Sequence, residues 1–303
     1  MSLLVVGSVA LDTVETPHGL RENVLGGAAS YFAVGASLFT PVRLVGVIGE
    51  DFPPEHIELF ESREIDLRGL RKIPGGKTFR WSGRYVGRMD VAETLDTQLN
   101  VLGECRPEIP EAFLDTEFVL LANDHPANQL TVAKSLPKAR FVMMDTMNLW
   151  IDQFLPDVKT VLAEVDAIVC NDEEARTLGG SHNLIRAMRA IQEMGPRTVL
   201  VKKGEHGAIV ISADDAYAIP AYPLEDVVDP TGAGDTFASG VMGYLAREGK
   251  TDFRSLKRAM AYGTVVASYN VEAFSLDRLR TLTTADIEQR FAEFQPFLNL
   301  DHE

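Results

Sequence analysis

The sequence predicts an α/β protein with a mostly parallel central sheet, helices on both faces and a small additional β-sheet. Short apolar runs alternate along the chain with longer stretches of helical periodicity, which is typical of a parallel sheet covered by helices. One region in the first third instead alternates apolar and polar residues at every second position. The 303 residues suffice for a substantial core, and we expect a single domain over 1–303.

The apolar runs are short enough to be buried strands, and the segments between them place apolar residues three and four positions apart. Helices are predicted over 30–38, 184–193 and 256–268. Buried strands are predicted at 3–6, 42–48, 118–122, 141–144, 167–170, 198–201 and 208–211.

The period-two region predicts two half-buried strands at 78–85 and 94–101. Phe79, Trp81 and Tyr85 share one face of the first strand. We interpret these strands as a small lid sheet that projects from the core, with lid segments at roughly 12–24 and 77–101. The alternative is an antiparallel extension of the main sheet.

Composition limits the possible partners. The net charge is −15, so a phosphate backbone is repelled and nucleic acid is not an expected partner. The two cysteines lack metal-site spacing, and no uncharged apolar run reaches the roughly 18 residues of a membrane span. The first residues are apolar without a basic leader and predict a strand. We therefore expect a cytoplasmic protein that contacts no membrane.

The segment Asp229-Pro230-Thr231-Gly232-Ala233-Gly234-Asp235 carries the strongest chemical signal. Its glycines allow a sharp turn, and an amphipathic helix follows. The N-terminus of a helix presents unpaired N–H groups and a positive dipole end, which together suit a phosphate. Asp235 then lies beside that phosphate. Its alternative role is to cap the helix, since Asp is favoured in the first turn.

The chain resembles the PfkB-type carbohydrate kinases of the ribokinase superfamily. The residues DPTGAGDTFASG at 229–240 are similar to the C-terminal signature of that family nearly residue for residue. Further matches follow the order expected for the family and cover most of the chain. They are GSVALD at 7–12, GGAA at 26–29, GVIGED at 46–51, NDEE at 171–174 and VKKGEHG at 201–207.

The resemblance implies a ribokinase-like fold and an ATP-dependent phosphoryl transfer. Asp235 would accept the proton of the acceptor hydroxyl as that hydroxyl attacks the γ-phosphate. The N–H groups of Gly232, Ala233 and Gly234 would form an anion hole for the charge on the transferring group.

The resemblance also implies cofactor residues. Asn171 and Glu174 would organise Mg²⁺ through its water shell, although acidic residues at this spacing also simply begin helices. Lys202 and Gly204 would lie beside ATP, although a lysine at a strand end often faces solvent. Asn270 would lie on the adenine side.

The same resemblance implies that Asp229 and Thr231 bind a monovalent cation such as K⁺, which only some members use.

On the acceptor side, the resemblance implies that Asp12 binds sugar hydroxyls and that Gly26 and Gly27 let the backbone approach the substrate. Tyr31 occupies a position where the family often has Asn. Its hydroxyl would either bind the substrate or pack in the helix. The acceptor therefore stays open between a sugar, a sugar acid and a nucleoside.

We predict an ATP-dependent kinase that phosphorylates a hydroxyl of a sugar or sugar-like molecule. A nucleoside kinase is the alternative in the same class, with lid aromatics as a surface for the base. A non-catalytic sensor on the same fold is the alternative in another class. A nicotinamide-dependent dehydrogenase and a P-loop kinase are disfavoured, because neither of their glycine motifs occurs. The apolar face of the lid makes a homodimer through the lid a further expectation.

Overall fold

The computed structural model describes residues 1–299, so the last four residues of the predicted domain lie outside the described residues. Within this range, nine strands form one sheet in the order β13-β12-β11-β10-β9-β8-β1-β4-β5. All neighbours are parallel except β11–β12 and β12–β13. The strands are β1 Leu3–Val6, β4 Val42–Gly49, β5 Asp66–Ile73, β8 Phe118–Leu121, β9 Phe141–Asp145, β10 Ala167–Asn171, β11 Thr198–Lys202, β12 Ala208–Ser212 and β13 Asp215–Ile219.

The seven predicted strands are present, and the sequence analysis missed β5 and β13. Both lie at the edges of the sheet, where fewer side chains are buried. Edge strands carry charged residues on their open side, so neither segment has the continuous apolar run that marks a buried strand.

Helices cover both faces of this sheet, as predicted. One apolar cluster joins the sheet to α1, α2, α9, α10 and α11, and a second joins the other face to α4, α5, α6, α7 and α8. The helices are α1 Ala28–Ala36, α2 Pro54–Ser62, α3 Val101–Glu104, α4 Pro126–Ser135, α5 Asn148–Gln153, α6 Leu155–Leu162, α7 Asp172–Gly179, α8 Leu184–Gln192, α9 Ala233–Glu248, α10 Phe253–Asn270 and α11 Thr284–Leu298. None of these helices is long and apolar enough to cross a bilayer.

The period-two region forms a separate sheet. The alternative expectation, an antiparallel extension of the main sheet, is therefore wrong. Among residues 1–299, four strands pair in the order β3-β2-β6-β7. We call this sheet the lid, and its strands are β2 Ala10–Thr16, β3 Gly19–Gly26, β6 Phe79–Tyr85 and β7 Ala92–Gln98.

The second predicted lid strand needs correction. It was expected over 94–101, but β7 ends at Gln98 and Val101 already begins α3. The strand was expected to be half-buried, yet Leu95 is 46% exposed. The alternating pattern identified an extended strand correctly. The pattern could not show that the side chains of β7 are exposed, because burial depends on which other segments pack against a strand.

Hydrogen bonds and a small apolar cluster join the lid to the core. Asp51, from the 46–51 motif, accepts hydrogen bonds from the Thr78 backbone N–H at 2.7 Å and from the Arg80 guanidinium at 2.8 Å. A small apolar cluster joins Val14 and Tyr85 of the lid to Phe274, which follows α10. The lid is therefore fixed beside the carboxyl ends of the parallel strands.

Candidate functional site

The glycine-rich segment forms a tight loop that ends at the start of α9. Gly232 is the N-cap of this helix, with φ of 74°, and no side chain caps the helix. A Cβ at position 232 would lie 2.3 Å from Tyr31 Cδ1, so the packing also requires glycine here. Asp235 stands in the first turn and is not the N-cap, and its carboxylate also interacts with its own backbone N–H.

Two of the three predicted anion-hole donors are available. The N–H groups of Gly232 and Gly234 donate to no atom among residues 1–299. The N–H of Ala233 instead donates to the carbonyl oxygen of Pro230 at 3.1 Å and closes the turn. All three N–H groups are expected to face a ligand, but in this structure only those of Gly232 and Gly234 lack an acceptor within residues 1–299.

Lys202 lies against this loop at the carboxyl end of β11. Its Nζ is 3.1 Å from Asp145 Oδ2, and the two side chains are 18% and 6% exposed. A Cβ at position 234 would lie 2.9 Å from the same Nζ, so Gly234 leaves space for the ammonium group. Lys202 therefore faces the start of α9 and not bulk solvent.

Asp145 is a site residue that the sequence analysis missed. It ends β9, as Asn171 ends β10 and Lys202 ends β11. A polar residue at the carboxyl end of each of three neighbouring parallel strands is the signal that could have identified it, because such ends meet at one edge of a sheet.

Burial raises the pKa of Asp235 to about 7; the nearby Asp145 carboxylate also raises it, and Lys202 lowers it. Burial alone would lower the pKa of Lys202, but Asp145, Glu174 and Asp235 outweigh burial and raise it well above its usual range. The ammonium group thus stays charged and partly neutralises a cluster of carboxylates.

Asn171 and Glu174 form a reciprocal cap at the start of α7. Asn171 Oδ1 accepts from the Glu174 N–H, and Glu174 Oε2 accepts from the Asn171 N–H, both at 2.8 Å. These two residues therefore do begin a helix, as the alternative interpretation expects. Glu174 is also 7% exposed, and burial raises its pKa to about 7.

The predicted acceptor side is built around Asp12. A Cβ at Gly26 would overlap the Asp12 carboxyl group, so this glycine allows the contact. Burial raises the pKa of Asp12 to about 8; a hydrogen bond from Gly27 lowers it, and Asp229 and Asp235 raise it further. Asp12 Oδ1 is buried without a hydrogen-bond partner.

Two tyrosines complete this side. Tyr31 is 1% exposed, its ring packs on Gly232, and its hydroxyl has no partner. Tyr85 reaches from the lid to the loop, where its hydroxyl oxygen accepts a hydrogen bond from Thr231 Oγ1 at 3.3 Å. The sequence predicts Tyr85 as a surface for a base or as the packed underside of the lid, and Tyr85 does pack with Val14 and Phe274. Its contact with Thr231 could not be predicted, since the two residues are 146 positions apart.

The remaining predicted residues hold the loop or lie on turns. Asp229 accepts from the N–H groups of Thr231 at 2.9 Å and Ser275 at 3.0 Å. Asn270 has no exposed surface and donates to the Thr231 carbonyl at 2.8 Å, so it is not placed to contact adenine as expected. Gly204 lies on the exposed turn after β11, with φ of 54°.

The model of the pfkB family carbohydrate kinases matches residues 2–278. The chain belongs to this family. Membership makes it an ATP-dependent kinase for a sugar-like small molecule. The glycine-rich loop, Asp235 and the surrounding carboxylates are its candidate active site.

Related pfkB-family proteins have different acceptors. The cytidine kinase of Thermococcus kodakarensis is 30% identical over 256 residues, which cover 82% of this chain and 89% of the relative. The ATP-dependent ribose-1-phosphate kinase of Halopiger xanaduensis is 28% identical, covering 82% and 81%. The nucleoside kinase of Methanothermobacter thermautotrophicus is 28% identical, covering 89% of each.

Solved structures show the same ribokinase-like fold. The ribokinase of Giardia lamblia superposes with a TM-score of 0.80 at 16% identity, over 97% of this chain and 99% of that chain. The nucleoside kinase of Methanocaldococcus jannaschii gives a TM-score of 0.75 at 21% identity, over 96% and 98%. The predicted fold class is confirmed.

The buried Asp12 predicts a pH-dependent stability for the pfkB-family chain without ligands. Its pKa is raised from 3.8 in the unfolded state to about 8 in the folded state. The folded state therefore binds more protons between these values, and the free energy of unfolding falls as pH rises through them. We expect Asp12→Asn to raise Tm by roughly 2 °C or more at pH 8.5 and by much less at pH 5.

Thermal denaturation at both pH values measures this difference. Glu58→Gln is the control, since Glu58 is exposed on α2 and should leave the curve unchanged. An Asp12→Asn protein with the same Tm gain at both pH values would contradict the prediction.

Proposed function

We propose that this kinase transfers the γ-phosphoryl group of Mg-ATP to a hydroxymethyl group of a sugar or of the sugar of a nucleoside, with Asp235 as general base. The observation that supports it best is the position of Asp235. It stands in the first turn of α9, does not cap the helix, and lies beside two unoccupied N–H donors and a lysine.

In the proposed reaction, the acceptor oxygen attacks the γ-phosphorus and its proton passes to the Asp235 carboxylate. The bond from the γ-phosphorus to the bridging oxygen breaks, and ADP leaves. The transition state is loose, so the proton moves late and a carboxylate is a sufficient base. The pKa of Asp235 near 7 keeps a substantial ionised fraction at neutral pH.

The N–H groups of Gly232 and Gly234 would hold the charge of the transferring group, together with the dipole of α9. Lys202 would contact the ATP phosphates, and Asp145 would keep its ammonium group beside the loop. Gly204 would border the nucleotide from the turn after β11.

The acidic residues on this side fit Mg²⁺, which would neutralise phosphate charge when it is bound. The buried Glu174 carboxylate has a raised pKa, so a neighbouring divalent cation would stabilise its ionised form. Mg²⁺ gives up its water reluctantly, so the ion would be held mainly by water and ATP oxygens. Glu174 and Asn171 would hold it through that water shell.

A monovalent cation such as K⁺ is a further part of the proposal, at Asp229 and Thr231. The supporting observation is Asn270 Oδ1, a buried oxygen without a partner in a side chain that already contacts Thr231. We also place the protein in the cytoplasm, in keeping with its unpaired cysteines.

A nucleoside acceptor is favoured by Trp81. Its indole lies against Gly83, where a Cβ would be 2.1 Å from Trp81 Cη2, and its side chain is partly exposed. It lies in the same lid strand as Tyr85, which reaches the catalytic loop. The indole packs beside Tyr85, and the part of it that stays exposed would offer a stacking surface for a base.

Replacing Asp235 tests the base. Asp235→Asn keeps the size of the side chain and removes its ability to accept a proton. We expect kcat to fall by about 10²-fold or more, the usual scale for loss of a general base, with ATP affinity near wild type. The measurement is ADP release with the best acceptor of a panel, and circular dichroism checks folding. A folded variant that keeps more than about a third of wild-type kcat would overturn this mechanism.

Replacing Lys202 tests the nucleotide clamp. Lys202→Met should lower kcat/KM for ATP by roughly 10- to 100-fold, the range for a lost hydrogen bond to a charged group. Asp145→Asn should give a smaller loss in the same parameter, since the lysine remains but is less firmly placed. Lys203→Met is the neighbouring control and should match wild type. Wild-type kcat/KM for ATP in Lys202→Met would exclude the clamp.

The last part of the proposal is a homodimer that forms through the lid. Leu20, Leu95 and Leu99 expose 44–50% of their surface on or beside the lid. Burying them against a second copy would be favourable. Light scattering should give twice the mass of one chain, and Leu95→Glu should shift the value towards one chain. A wild-type mass of one chain would refute the dimer.

A further inference from the structure

Gln129 is a buried polar residue on the inner face of a helix. It lies on α4 between Pro126 and Val132, which are buried with it, and it is 3% exposed. Long polar side chains are seldom buried unless their groups are hydrogen-bonded. We propose that Gln129 is a positioning residue, which holds Asp145 and through it Lys202 in place for phosphoryl transfer. The inference rests on the nucleotide clamp proposed above.

The side chain of Gln129 binds backbone carbonyl groups of two neighbouring strands. Its Nε2 shares two N–H groups among the carbonyl oxygens of Asp145 at 2.8 Å, Ala122 at 3.0 Å and Leu121 at 3.3 Å. Three acceptors around one nitrogen fix the orientation of the amide, because the opposite orientation would place its oxygen against three oxygens. The Oε1 atom makes no hydrogen bond within residues 1–299, so the side chain acts through its donors.

The bound carbonyl groups lie where the ladder between β8 and β9 ends. Direct pairing of these strands stops one residue before Ala122 and one residue before Asp145. On its other side, Ala122 is tied to β1, since its N–H donates to the Val6 carbonyl oxygen at 2.9 Å. Gln129 therefore links the part of the sheet that leads into the lid to the part that ends at Lys202.

The position of Asp145 decides where the lysine ammonium group lies. Its Oδ1 accepts from the Thr146 N–H at 2.8 Å, and its Oδ2 accepts from Lys202 Nζ at 3.1 Å. Thr146 is the next residue and moves with Asp145, whereas Gln129 ties the same peptide to another strand. A charge-assisted hydrogen bond weakens when its distance or angle changes. Without Gln129, the ammonium group would be held less firmly beside the glycine-rich loop.

A purely structural role is the alternative, and Gln192 provides the comparison. This glutamine is half-buried on α8, and its Nε2 donates to the Arg197 carbonyl oxygen at 2.7 Å. Arg197 directly precedes β11, so the contact lies at the amino end of the strand whose carboxyl end carries Lys202. Loss of this contact should reduce stability without reaching the site.

The first experiment compares the two glutamines by kinetics. Gln129→Met removes the donors and keeps the length of the side chain. We expect kcat/KM for ATP to fall by about 10-fold, the scale of one lost hydrogen bond, while KM for the best acceptor stays near wild type. Gln192→Met should lower Tm to a similar extent and leave both kinetic constants near wild type. Equal kinetic constants in the two variants would overturn the proposal.

A double variant tests whether Gln129 acts through Lys202. In Lys202→Met the clamp is already absent, so adding Gln129→Met should change kcat/KM for ATP little further. Residues that act on one interaction give effects that do not add, whereas independent effects on free energy do. A double variant whose loss equals the product of the two single losses would show an independent role and overturn the proposal.

A milder variant serves if Gln129→Met does not fold. Gln129→Asn keeps the amide but is one methylene shorter, so it reaches fewer of the carbonyl groups. The loss in kcat/KM for ATP should then be smaller, and it should again disappear in the Lys202→Met background. A folded Gln129→Asn protein with wild-type kcat/KM for ATP would overturn the proposal.

The same measurements separate this inference from the clamp on which it rests. If the clamp is wrong, Lys202→Met keeps wild-type kcat/KM for ATP, and the role of Gln129 is overturned with it. If only the role of Gln129 is wrong, Lys202→Met is impaired and Gln129→Met behaves like Gln192→Met.

Discussion

The site depends on one buried cation, the ammonium group of Lys202. It lies 3.1 Å from Asp145 and next to Gly234 at the start of α9, within the electrostatic range of Glu174 and Asp235. Desolvated carboxylates are costly to keep ionised unless a positive group compensates them. Lys202 and the dipole of α9 provide that compensation, and the raised pKa values of Asp235 and Glu174 show that it is incomplete. Added positive charge on this side of the site is therefore favourable.

The parallel sheet brings this group together. In the register of the sheet, Asn171 pairs with Lys202, and Val169 pairs with Asp145. Asp145, Asn171 and Lys202 thus end three neighbouring strands at one edge of the sheet, near the N-terminus of α9. Along the chain they are separated by 26 and 31 positions. The lid then closes the acceptor side through Tyr85 and Thr231, so both halves of the site border the same glycine-rich loop.

The loop itself is held by buried polar contacts. Asp229 binds two backbone N–H groups, and Asn270 binds the carbonyl of Thr231. The Tyr31 ring packs against Gly232, and Gly232 has a left-handed backbone conformation. Such contacts hold the loop in one conformation, in which the N–H groups of Gly232 and Gly234 donate to no atom of residues 1–299. Donors that are held in place in this way stabilise developing charge without reorganisation.

The sequence by itself determined the buried strands, the two period-two strands and the helix that follows Gly232, because these depend on local periodicity and glycine spacing. Its family signature pointed to Asp235 and Asp12, because a motif keeps its residues at constant separation. Only the tertiary structure identified Asp145 and Tyr85, whose partners lie 57 and 146 residues away. It also assigned Asn270 and the Ala233 N–H to the loop and left Asp12 Oδ1 and Tyr31 Oη without partners. Contacts, burial and charge compensation arise between distant segments, and no local pattern encodes them.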